Sequence, residues 1–228
     1  MFKPPPLQAS VLSFDLDDTL WAVGPVILRA ERELYGWLCA RYPAAVQGHS
    51  IESMRELRAD VAARFPEYGH DLSFLRRRAL AEQFLAAGHD ESGAEEAFEV
   101  FFAARNRVEC YPDVLPALER LRTRYRLFAL SNGNADLARC GLEGLFEGHV
   151  TARSAGAAKP DPRIFAALLR AAGVRAHEVL HVGDDPHADV VGAERAGLRS
   201  VWINREARIW PREFAAPGRT VCSLAELD

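Results

Sequence analysis

Residues 11 to 21, VLSFDLDDTLW, constrain this chain more than any other stretch. Val11, Leu12 and Phe14 make an apolar run too short for a full helix, which predicts a brief, fully buried strand. The run stops at Asp15, Asp17 and Asp18. In an open parallel sheet, ligands bind beyond the carboxyl ends of the strands, so the acids would lie where a substrate can reach them. Carboxylates gathered there repel: two like charges about 4 Å apart cost roughly 4 kcal/mol at an effective dielectric near 20. A divalent cation is the simplest remedy. The plainer alternative is an acidic turn with Thr19 as its cap.

From about Pro25 to Arg107 there is no strand-like block, only amphipathic segments between turn residues. ILRAERELYGWLCARY places Ile27, Leu28, Leu34, Trp37, Leu38 and Tyr42 on one broad helical face ended by Pro43. Ser50 caps a second helix, Gly88 closes a third, and Ser92 with Glu95 predicts a capping box for a fourth. The result is a helical insert, residues 23 to 107, expected to act as a lid over a core made of 1 to 22 and 108 to 228.

From Cys110 onward strands alternate with helices, the pattern of a doubly wound, Rossmann-like α/β sheet. RLFALSNGN ends a strand at Ser131, and Asn134 is expected to cap a helix to Cys140. A weaker strand lies around His149 to Ala152. Asp161 and Pro162 start a helix stopped by Gly173. EVLHVGDDP is a second strand that ends in acids, RSVWIN follows it, and RTVCSLAEL predicts a short last strand and helical turn.

The net charge of −4 removes the electrostatic case for nucleic acid or an anionic membrane surface. No apolar run approaches the roughly 18 residues that span a bilayer. MFKPPPLQAS has a proline run and no apolar core of a signal peptide. Cys39, Cys110, Cys140 and Cys222 are widely spaced, which predicts reduced thiols. These features predict a soluble cytoplasmic protein, monomeric or weakly dimeric.

Three strand ends then deliver reactive groups to one sheet edge. Asp15 suits an in-line nucleophile, and Asp17, two positions on, is expected on the same side to handle the leaving group's proton. That division of labour is covalent catalysis through an aspartyl-phosphate. Ser131 offers a hydroxyl, and the turn after it offers the N–H groups of Asn132 and Gly133 as a cradle for phosphoryl oxygens, unless it is an ordinary Asn-Gly turn. Lys159 can neutralise both the nucleophile and the transferring group, although a lone lysine is usually a surface residue. Asp184 is free to bind a metal, Asp185 and Pro186 read as a helix start, and Asp189 could orient a metal-bound water. Hard carboxylates with waters and a phosphate suit Mg²⁺. His181 and His187 read as bystanders.

The set DLDDT, SNG, KP and GDDPHAD, in this order at strand ends, resembles the haloacid dehalogenase superfamily of phosphohydrolases over the whole chain. The helical insert looks like that family's type 1 cap. The resemblance implies Asp15 as nucleophile, Asp17 as acid and base, Ser131 and Lys159 as phosphate ligands, and Asp15, Asp17 (through its carbonyl) and Asp184 as magnesium ligands. Asp185 stands where many relatives carry serine. True dehalogenases of the family replace the acid at the position of Asp17, which argues against halide displacement here. More narrowly, FDLDDTLW, GPVILRAERE, SNGN and HVGDD look like bacterial flavin mononucleotide phosphatases that also act on the phosphorylated ribitylamino-uracil precursor of riboflavin.

The expectation is a Mg²⁺-dependent phosphatase of a small phosphorylated metabolite. A phosphomutase of the β-phosphoglucomutase type is the same-class alternative, and a receiver-like Mg²⁺-binding signalling module is the non-catalytic one. Arg29, Arg32, Trp21, Tyr35 and Trp37 could meet a flavin, but helix packing explains them as well, and Trp37 is expected in the core.

Overall fold

The computed structural model describes residues 9 to 227. The proline run at 4 to 6 lies outside the described residues. The chain divides into two compact units, one holding the residues through Ala22, Glu109–Gly133 and Gly141 onward, the other Val23–Val108 with Asn134–Cys140.

In chain order the first strand is β1 (Val11–Phe14), followed by α1 (Val23–Arg41), α2 (Ile51–Arg64), α3 (Leu72–Ala86) and α4 (Ser92–Arg105). Then come α5 (Val114–Leu121), β2 (Arg126–Ser131), β3 (Gly148–Thr151), the one-turn α6 (Ala152–Ala155) and α7 (Pro162–Ala172). β4 (Val179–Gly183), a π-type turn (Pro186–Val191), α8 (Gly192–Arg195), β5 (Arg199–Ile203) and β6 (Thr220–Val221) complete it.

The six strands form one parallel sheet in the order β3-β2-β1-β4-β5-β6, the doubly wound α/β arrangement expected. Every residue of β1 is buried, as its short apolar run requires. Val11, Phe128, Leu130, Val150 and Val179 pack against Ile164, Phe165 and Leu168 of α7 and Ala193 of α8. Asp161 caps α7 by accepting the Arg163 N–H, Pro162 opens the helix, and Gly173 ends it in the left-handed conformation. β1 and β4 are neighbours, so their carboxyl ends, Asp15 and Asp184, emerge side by side.

In the helical unit, Ala30, Leu34 and Leu38 of α1 pack with Phe84 of α3 and Phe98 and Phe101 of α4. Trp37 is partly buried and packs on this cluster against Tyr42, whereas Leu28 is exposed. Ser50 caps α2 and Gly88 follows α3 with positive φ. The predicted capping box of α4 is absent: Asp90 takes the N–H and hydroxyl of Ser92, and Glu95 pairs with Arg77. The predicted helix from Asn134 to Cys140 is also absent. Asn134 spends its side chain on Ser73 (3.1 Å) and Arg105 (3.2 Å), Asp136 accepts the N–H groups of Ala138 and Arg139, and Asn106 Oδ1 accepts the N–H of Asp136 at 2.8 Å. This segment belongs with the helices and not with the sheet.

No helix among the described residues is long and apolar enough to cross a membrane, and the four cysteines are free thiols.

One ion cluster is buried within the helical unit. Glu31, buried on α1, pairs with Arg55 at 2.6 Å, Arg58 at 3.3 Å and Arg76 at 3.8 Å. Arg76 is nearly enclosed and stacks on Phe101 at 3.4 Å; its burial and Arg58 push it down to about 9. Removing the one carboxylate leaves like charges facing each other, and breaking a buried pair in this way costs about 3–5 kcal/mol. Glu31→Gln is expected to lose about 3 kcal/mol in denaturant unfolding, and a loss under about 1 kcal/mol would show that solvent already balances the arginines.

Candidate active site

The strand ends are assembled by the sheet. Asp15 follows β1 and still pairs with β4, its N–H donating to Val182 O at 2.9 Å. The chain then turns sharply. Asp18 takes a positive φ of 60° and donates its N–H to Trp21 O at 2.7 Å. Trp21 is fully buried and donates its indole N–H to Asp17 Oδ1 at 2.9 Å, which anchors that carboxylate. Leu16 and Leu20 are buried, so the turn is held by apolar as well as polar contacts.

Lys159 lies at the centre. Its buried ammonium donates to Asp15 Oδ1 at 2.5 Å, to Asp189 Oδ1 at 2.7 Å and to Leu130 O at 2.8 Å, which uses all three of its protons. Asn132 fixes the lysine's backbone, accepting its N–H at 2.7 Å and donating to its carbonyl at 3.0 Å. The side chain of Asn132 is therefore a clamp on Lys159. Ser131 is buried and accepts the Gly133 N–H at 2.9 Å, so that N–H is engaged within the turn and not held open as a cradle.

Asp189, expected near the metal site as a group that could orient a bound water, lies within the carboxylate cluster itself. It is buried, bonds Lys159 and His181 through Oδ1, and accepts the Asp185 N–H through Oδ2 at 3.0 Å. His181 is no bystander. Its Nδ1 lies 2.8 Å from Ser13 Oγ and its Nε2 3.0 Å from Asp189 Oδ1. A neutral imidazole protonated at Nε2 satisfies both contacts, donating to the carboxylate and accepting from the hydroxyl. Burial holds its pKa below the ordinary histidine value. His187 lies elsewhere, stacked on Phe214. Asp185 caps the turn after β4, accepting the N–H groups of His187 and Ala188.

Asp184 follows β4. Its carboxylate meets Thr19 Oγ1 at 3.4 Å and Arg208 at 2.9 Å, and its carbonyl accepts from Trp202 Nε1 at 2.8 Å. Thr19 thus faces an acid of the cluster and does more than shape its own loop. Oxygens of Asp15, Asp184 and Asp189 lie within 4.8 Å of one another. Burial pushes Asp15 well above the usual carboxylate range against the pull of Lys159, and burial with Asp189 nearby pushes Asp184 up to about 6. Asp189 is held low by Lys159 and His181 against its own burial. Three carboxylates of hard oxygen donors facing one ammonium fit a divalent cation, which would relieve both raised acids at once.

Sequence reading shows no sign of Gly183 and Arg208, and it expects His181 and Thr19 to take no part in the cluster. A Cβ on Gly183 would lie 2.2 Å from Asp189 Cγ, so the glycine lets Asp189 fold back over the end of β4. Gly183→Ala is expected to displace Asp189 and lower stability by about 1–3 kcal/mol, measured by denaturant unfolding; a neutral result would mean the turn simply shifts. His181 predicts a pH dependence. The unfolded imidazole takes a proton near pH 6.5, whereas the buried one resists it. Stability contributed by the neutral ring is present above about 6.5 and falls as pH drops from there through the lower folded value. The stability gap between the wild type and His181→Gln should narrow over that window, and a constant gap would refute the assignment.

The model of the haloacid dehalogenase-like hydrolases matches residues 10–197. The chain is 35% identical over 209 residues to the 5-amino-6-(5-phospho-D-ribitylamino)uracil phosphatase YigB of Escherichia coli, covering 90% of this chain and 87% of that protein. It is 38% identical over 158 residues to a phosphoserine phosphatase of Thermus thermophilus, covering 67% and 63%. Among solved structures, a 2-haloacid dehalogenase from Pseudomonas syringae superposes with a TM-score of 0.90 at 37% identity, over 96% of each chain. With a matching fold, the acid-tipped strands and relatives of this coverage, the chain belongs to the haloacid dehalogenase-like hydrolases.

Proposed function

We propose that this enzyme is a Mg²⁺-dependent phosphatase that hydrolyses a small phosphomonoester through an aspartyl-phosphate on Asp15. The observation that carries the reading is the buried cluster in which Lys159 joins Asp15 to Asp189 with Asp184 alongside. Asp15, Asp184 and Asp189 would hold the cation, with the carbonyl of Asp17 as a further donor. When bound, the cation neutralises the phosphoryl oxygens and keeps Asp15 ionised.

The steps belong to the chain's own residues. An oxygen of Asp15 attacks phosphorus as the bond to the substrate's ester oxygen breaks, and Asp17 gives that oxygen its proton. Asp17, now a carboxylate, takes a proton from the water that attacks the aspartyl-phosphate, which releases inorganic phosphate and restores Asp15. The indole of Trp21 keeps Asp17 oriented for both transfers. The charge of Lys159, whose three protons are already placed, offsets that of the phosphoryl group, and the hydroxyl of Ser131, at the neighbouring strand end, donates to it.

The relative named for a ribitylamino-uracil phosphate favours that compound as substrate, and the resemblance of FDLDDTLW, SNGN and HVGDD adds flavin mononucleotide as a candidate. A second reading, displacement of halide from a haloacid, is favoured by the likeness to the Pseudomonas enzyme. Halide leaves without a proton, so that chemistry gives Asp17 no task.

Asp15→Asn is expected to abolish phosphate release from flavin mononucleotide and p-nitrophenyl phosphate, and near-wild-type turnover would remove Asp15 from the nucleophile's role. Asp17→Asn should lose about 10²–10⁴-fold on an alkyl phosphate. EDTA should silence the enzyme and Mg²⁺ restore it. Halide release from 2-chloropropionate without phosphatase activity would establish the second reading.

A further inference from the structure

The carboxyl end of β5 carries a feature that the steps above leave unused. Beyond Ile203 the chain forms a small loop closed by Asn204, which donates through Nδ2 to Arg208 O at 2.9 Å and accepts the Arg208 N–H through Oδ1 at 2.8 Å. Inside the loop Ala207 takes a positive φ of 53°, a conformation that disfavours any residue with a Cβ. The clasp and the turn send Arg208 back to the sheet edge, where its Nη2 donates to Asp184 O at 2.6 Å and to Asp184 Oδ2 at 2.9 Å. Arg205, three residues earlier, points to Asp113 and Thr19 O and so takes no part.

The three acids of the cluster are not equally held. Asp15 and Asp189 are buried and bonded to Lys159. The side chain of Asp184 is 14% exposed and its charged partner is Arg208. We propose that Arg208 is a positioning residue for the cation site, holding Asp184 in the orientation that binds the ion, with Asn204 aiming Arg208 in turn. The inference rests on the reading of Asp184 as a cation ligand.

Two effects of the guanidinium oppose each other. Its charge repels an incoming cation, but its side chain is 42% exposed, so solvent screens the repulsion to at most about a fivefold loss of affinity. Its hydrogen bonds orient a ligand, and partners of that kind are typically worth about 10–100-fold in metal affinity. Orientation wins. Removing Arg208 therefore weakens cation binding, whereas a purely repulsive arginine would make the same substitution tighten it.

The test is titration of the metal-stripped protein with Mg²⁺ by calorimetry, with tryptophan emission as a second readout because Trp202 donates to the Asp184 carbonyl. Arg208→Ala should raise the Kd for Mg²⁺ by about tenfold or more with thermal unfolding of the metal-free protein unchanged. Arg208→Lys should recover part of the loss. Asn204→Ala, which leaves the guanidinium in place, should raise the Kd several-fold, and kcat of Arg208→Ala should return at saturating Mg²⁺. Ile209→Ser, at a position 90% exposed, serves as the control with unchanged affinity. Unchanged or tighter binding by Arg208→Ala, while Asp184→Asn loses the ion, overturns the role of Arg208 and leaves the site's reading intact. A wild type that binds no Mg²⁺ dependent on Asp184 overturns both.

Discussion

A single buried ammonium holds the site together. Lys159 gathers a carboxylate from the end of β1, another from the turn after β4 and a carbonyl from β2. Burying a lysine is expensive unless it is paired, and here two acids make the pairing favourable and hold its pKa above the ordinary value. The same bonds join three neighbouring strands at their carboxyl ends, so the charge that organises the chemistry also locks the sheet edge. Asn132 keeps the lysine's backbone in place, and His181 passes the network back through Asp189 to Ser13 inside β1.

The cluster also explains why its acids differ. Asp189 has a cationic neighbour, a histidine and a backbone N–H, and stays ionised. Asp15 shares the lysine but is enclosed and faces other acids, so its charge is costly without a further cation. One strand-end geometry thus yields a carboxylate that is comfortably ionised and, at Asp15, one whose charge is costly, with oxygens within 4.8 Å of one another.

Much of this was legible in the residues. The acid-tipped apolar runs at β1 and β4, the proline and aspartate that start α7, and the alternation after Cys110 are local signals, and the structure follows them. His181 was not legible, because its partner Ser13 is 168 positions away and the two meet only through the register of β1 and β4. Arg208 escaped notice for a similar reason: an arginine in a loop has no local signature until β5 is known to end beside Asp184. Ser92 shows the opposite failure, a well-formed capping pattern overruled when Asp90 bonds the same N–H. Asn134 failed as a cap because Ser73 and Arg105, far off in sequence, claimed its amide.

The segment from Asn134 to Cys140 has a consequence for how such a molecule can be recombined. The helical unit is built from two stretches of chain, since Asn134 and Asp136 complete Ser73, Arg105 and Asn106. Transplanting the long insert alone onto a foreign sheet would leave those polar groups unmatched inside the graft. A transfer of the helical unit between relatives must carry both stretches, and the seven-residue one is the easier to overlook.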